Sequence, residues 1–102
     1  MESRRVVITG MGIISPLGNT VREFWRNLLD GVCGIGPITL FDTTDYKVHV
    51  AAEVKNFDPL LYMEKTEANR YDPYIRFAFG AADQAVQESG ILSSVDPERF
   101  GV

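Results

Sequence analysis

A chain of 102 residues, 45% apolar and 24% charged, has the makeup of one globular domain or part of one, which excludes a largely disordered polymer. Ten basic residues against 14 acidic ones leave a net charge of −4. The cations are scattered apart from Arg4-Arg5, unlike a nucleic-acid footprint, and no stretch approaches the ~18 apolar residues of a membrane span.

The single cysteine, Cys33, excludes an intrachain disulfide and makes a reducing, cytoplasmic setting the expectation. Ser3-Arg4-Arg5 followed by Val6-Val7-Ile8 has a faint likeness to a twin-arginine export signal. Gly10, Gly12 and Pro16 break the apolar run too soon for one, and no small-residue cleavage site follows.

In chain order, the β-branched run Val6-Val7-Ile8-Thr9, continued by Met11, Ile13 and Ile14, predicts a strand buried on both faces in a layered α/β protein. Gly10 and Gly12 within it imply the close passage of another backbone, or a bulge. Pro16 and Gly18 then turn the chain.

Thr20 and Glu23 have the spacing of a capping box, and Val21, Phe24, Trp25, Leu28 and Leu29 form one apolar stripe. These predict a helix of about ten residues with Arg22, Arg26 and Asn27 on its wet side. Gly31 occupies the left-handed position beyond its end. A long glycine-containing connection follows over 31–46. Val48, Val50 and Ala52 alternate with His49, Ala51 and Glu53, predicting a half-buried strand.

Asn56 and Asp58-Pro59 close that strand, and Asp58-Pro59 also fits the start of a short helical turn. A second long helix is predicted from Asp72 as N-cap and Pro73 at the first helical position. It presents Ile75, Ala78, Phe79, Ala82 and Val86, with Ala85 beside them, and ends at Ser89-Gly90. The small Ala81, Ala82 and Ala85 favour close packing. Pro97 marks another turn, and Phe100-Gly101-Val102 reads as the start of a strand, so the sequence looks interrupted there.

Four features invite a chemical reading. Gly10-Met11-Gly12-Ile13-Ile14-Ser15 is near a dinucleotide-binding G-x-G-x-x-G, but Ser15 replaces the third glycine and the helix opens five residues late. A buried strand entering a turn is the better reading. Cys33 follows a helix C-terminus, where the dipole disfavours a thiolate; it reads as a small buried or half-buried side chain. His49 is the one histidine, without the companions of a metal site, and reads as a surface residue. The stretch Glu64 to Arg70 is a charged face with weak local ion pairs, or else a source of cations for an acidic partner.

Taken together, several segments resemble the β-ketoacyl-ACP synthases of the type numbered II. These are Arg4 to Gly12 with Ser15-Pro16-Leu17-Gly18-Asn19, Gly34 to Asp42, Ala52 to Pro59, Arg70-Tyr71-Asp72, Ser89-Gly90-Ile91 and Arg99 to Val102. The resemblance spans the whole chain.

It implies an α/β chain that is the N-terminal part of a thiolase-like fold, layered α-β-α-β-α when complete. It also implies a homodimer whose substrates ride on the phosphopantetheine of acyl carrier protein (ACP). Such enzymes use a cysteine in an Ala-Cys-Ser/Thr context, two histidines in His-Gly-Thr and Gly-His-x-x-Gly contexts, and a lysine. Val32-Cys33-Gly34 and His49 match none of these.

Residues 1–102 are therefore expected to form an incomplete segment, inactive alone, with no catalytic, cofactor or metal residue. Lys65 and Arg70 occupy the region where relatives dock ACP, with Asn69 where relatives often have another cation. Pro73 is expected to break any helix running on from residue 65. No nucleic-acid or membrane partner is expected. The competing readings are a non-catalytic chain-length-factor or polyketide synthase subunit, and an independent small α/β interaction domain.

Overall fold

Residues 2–102 are described by the structure, a computed structural model of the chain. The opening apolar run makes no strand ladder; its first part lies open to solvent, Val6 being 91% and Ile8 83% exposed, while Ile13 and Ile14 are half-buried. This corrects the expected strand buried on both faces. A central strand exists only through neighbours on each side, and the one sheet among the described residues is a two-stranded ribbon elsewhere in the chain.

The run lies instead across the last long helix, α3 (Pro73–Ser89). A side chain on Gly10 would collide with the carbonyl oxygen of Ala85, and one on Gly12 with that of Ala81. Ala81 and Ala85 are about one helical turn apart, so the spacing of the glycines lets the chain step along the helix surface at backbone contact. The close passage read from Gly10 and Gly12 is present, and it accounts for both glycines structurally.

Past Ile14 the chain turns. Ser15 and Gly18 exchange backbone hydrogen bonds of 3.0 and 3.2 Å, and the Ser15 hydroxyl accepts the amides of Leu17 and Gly18, both at 3.2 Å. Helix α1 (Val21–Leu29) starts on Thr20, whose Oγ1 accepts the Glu23 amide at 3.1 Å. The carboxylate of Glu23 reaches one residue further back than a standard box, accepting from the Asn19 amide at 3.3 Å. Gly31 takes φ 70°, the left-handed exit expected of it.

The stripe of α1 is only partly used. Val21 and Phe24 are half-buried, whereas Leu28, Leu29 and Trp25, 56% exposed, face water. Asn27, assigned to the wet side, is half-buried and donates Nδ2 to the Leu17 carbonyl.

Strands β1 (Ile35–Pro37) and β2 (Val50–Ala52) pair antiparallel, with Gly36 opposite Ala51. Ile38 extends the ladder through its amide to the His49 carbonyl, 2.9 Å. The face expected to be covered is corrected: Val48, Val50 and Ala52 are exposed, while Ala51 and Glu53 are half-buried. The Glu53 carboxylate on that side accepts hydrogen bonds from the Thr39 amide and hydroxyl and the Leu40 amide.

A short 3₁₀ turn (Pro59–Leu61) begins on Asp58, which accepts the Leu60 amide at 3.0 Å. Helix α2 (Lys65–Arg70) follows. Tyr71 and Asp72 are extended, at ψ 140° and 156°, as the residue before a proline must be, and α3 opens at Pro73 as expected. It closes on Gly90 at φ 62°.

The packed side of α3 is partly the expected one. Ile75, Ala85 and Val86 are half-buried as expected, joined by Phe77, Ala81, Gln84 and the buried Gly80, whereas Ala78, Phe79 and Ala82 are exposed. Phe57 stacks on Tyr62 at 5.9 Å and meets Phe77 edge-on at 5.1 Å. Both Phe57 and Tyr62 lie against the buried Gly80, as does Ile14. A side chain at residue 80 would push into this aromatic group. Residues 100–102 form no strand, contrary to expectation.

This small α/β unit encloses little. Its accessible surface is 8746 Å², against about 5,800 Å² for a compact monomer of its mass. Its radius of gyration is 17.5 Å, against about 13 Å. Ala68, 4% exposed, is the one buried hydrophobic side chain among the described residues.

Candidate functional site

The two cations singled out in the sequence sit at opposite ends of α2. Lys65 and Arg70 are both exposed. Five positions of helix separate them by roughly 140° around the axis and about 7.5 Å along it. They are thus not one patch on one face. Lys65 shares its side with Asn69, which carries no charge. The Glu67 carboxylate does not pair with either cation in a hydrogen bond; it accepts the Glu64 amide at 3.3 Å and so stabilises the helix start. Arg76, the next cation along, is half-buried and donates Nε to the Tyr71 carbonyl at 2.9 Å. That bond braces the bend between α2 and α3.

A cavity of about 220 Å³ opens between the Ser15–Gly18 turn, α1 and the segment after β2. Its walls include Leu17, Glu23, Asn27, Cys33, Lys55 and Asn56. Lys55 is committed to the backbone, donating to the carbonyls of Glu53 and Gly34 at 3.3 and 3.4 Å. Asn19 ties the same corner down, its Nδ2 donating to the Lys55 carbonyl at 2.7 Å.

Cys33 is exposed, which corrects the expectation of a buried or half-buried side chain. The loop after α1 carries it along the rim of the cavity, and its thiol reaches only the Ile35 carbonyl, at 3.8 Å. Among the described residues, no base or cation bonds to it. His49 is a surface residue, as expected, with Nδ1 3.0 Å from the Thr43 hydroxyl. The cavity walls do not include it. Thiol and imidazole are thus not assembled into a nucleophile–base pair. Among the described residues, no group of three His, Cys, Asp or Glu side chains could hold a metal ion.

Two carboxylates, Asp42 in the loop between β1 and β2 and Glu53 just after β2, have their pKa lowered by hydrogen bonds. The side-chain hydrogen bond from the Thr44 hydroxyl, then the Thr44 amide at 3.0 Å, keeps Asp42 below its ordinary range. The Thr39 hydroxyl at 2.8 Å, then its amide at 3.0 Å, does the same for Glu53.

Sequence reading missed Gln84. Its Oε1 accepts the Ile13 amide at 3.2 Å, and its Nε2 donates to the Asn19 carbonyl at 2.6 Å and the Tyr62 hydroxyl at 3.1 Å. It fastens the first segment, the α1 entry and the aromatic group to α3. The available signal was a polar residue set between Ala81 and Ala85.

A small α/β unit is the class that this geometry defines. The family described as "Beta-ketoacyl synthase, N-terminal domain" matches residues 3–102. The chain belongs to that family.

Similar curated proteins include "3-oxoacyl-[acyl-carrier-protein] synthase 2" of Coxiella burnetii, 44% identical over 100% of this chain. The proteins of the same name in Staphylococcus aureus and Synechocystis are 44% and 39% identical over 99% and 100% of it. In each case the chain spans 25% of the relative.

Among solved structures, "The ishigamide ketosynthase/chain length factor" superposes with a TM-score of 0.78 and 34% identity. That match covers 96% of this chain and 23% of the other. It is consistent with a part of the layered fold expected above. Among the described residues, no helix is long and apolar enough to cross a membrane.

Proposed function

We propose that residues 1–102 form the N-terminal portion of a condensing enzyme that elongates acyl-ACP with malonyl-ACP by decarboxylative Claisen condensation in fatty acid synthesis. The observation that carries this reading is the 44% identity to a 3-oxoacyl-ACP synthase 2 over the entire chain. In such an enzyme a cysteine thiolate attacks the acyl thioester and releases the carrier's thiol. Malonyl-ACP then loses CO₂, and the electron pair left on its α-carbon attacks the acyl-enzyme carbonyl. The thiolate is expelled and 3-oxoacyl-ACP leaves. Two histidines and a lysine assist by stabilising negative charge on thioester oxygen.

Neither Cys33 nor His49 has a context or a partner suited to these steps, so this portion supplies scaffold and docking surface. Lys65 and Arg70 offer charge to the acidic carrier, Arg70 from the side of α2 that Lys65 does not share. The working enzyme is a cytoplasmic homodimer, and its substrates arrive on the carrier's phosphopantetheine.

A second reading is favoured by the likeness to the ishigamide ketosynthase/chain length factor. In it the same N-terminal fold belongs to a non-catalytic or polyketide synthase subunit. Sequencing the parent gene past codon 102 and assaying its product with acyl-ACP and malonyl-ACP separates the two. An Ala-Cys-Ser/Thr segment with CO₂ release and 3-oxoacyl-ACP formation from saturated acyl-ACP supports the condensing enzyme and overturns a non-catalytic subunit. A frame with that cysteine replaced and no turnover overturns it in favour of the second.

A further inference from the structure

We draw no further inference here: the strongest candidate, the exposed apolar surface that Leu40, Phe41, Tyr46 and Val48 form on the loop between β1 and β2, is an unpartnered face, and nothing in the structure shows what covers it.

Discussion

At the scale of single residues, the sharpest constraints are steric. Gly12 faces the Ala81 carbonyl with no room for a methyl group, while Gly36 has open space around it. Gly12→Ala in the parent protein is expected to lower stability by about 1–3 kcal/mol or more, because helix backbone cannot swing aside as a side chain can. Gly36→Ala is expected to be near neutral. Urea denaturation midpoints of the two variants check this, and equal midpoints would contradict it.

Gln84→Ala leaves the Ile13 amide and the Asn19 carbonyl short of a partner in a half-buried setting. It is expected to cost about 1–3 kcal/mol, whereas Gln87→Ala, on the exposed side, costs almost nothing. The same denaturation series reads the difference. Gly10 and Gly12 were legible as sites of close approach because a missing side chain advertises itself. Gln84 was not, because its three partners lie 22 to 71 positions away in sequence.

At the scale of elements, ends were more legible than faces. Thr20, Gly31, Asp58-Pro59, Asp72-Pro73 and Gly90 act through their own backbone or a neighbour within a turn, and each element end lies where they place it. Which face is covered depends on what else is packed nearby. Val50 is therefore exposed and Glu53 half-buried, the reverse of what alternation predicted.

Glu53 also makes the loop sensitive to acid. Its folded pKa lies below 4.5, so its contribution is present above that value and is lost as pH falls through the lower folded one. Amide exchange at Thr39 and Leu40, corrected for the intrinsic rate, is expected to be unchanged through neutral pH and to lose protection only in the acid range below 4.5. Glu53→Gln should flatten that profile, and loss of protection near neutrality would contradict it.

For α2, if the parent protein is the proposed condensing enzyme, Arg70→Glu in it is expected to raise KM for ACP-linked substrates several-fold with kcat little changed. Pairing Lys65→Glu with it should raise KM further. An unchanged KM would remove α2 from the docking surface.

At the scale of the whole molecule, the decisive feature is how little is enclosed. About 3,000 Å² more surface is accessible than a compact monomer of this mass would show, including Val6, Ile8, Trp25 and Leu29. The composition gave no warning, because 45% apolar residues would suffice for a closed core. Family likeness was legible in glycine, proline and aspartate positions scattered along the chain. The buried character of the first segment was misread, since a two-sided strand is a property of its neighbours and not of its own residues. Residues 1–102 alone are accordingly expected to unfold without a single sharp transition. A sharp, two-state calorimetric melt of the monomeric 102-residue chain would contradict this.

The most direct test of the assignment is a condensation assay with acyl-ACP and malonyl-ACP, run on the product of the complete parent gene and on residues 1–102 by themselves. The account predicts CO₂ release and 3-oxoacyl-ACP from the former and no turnover from the latter. Turnover by the 102 residues alone, or none from the complete product, would contradict it.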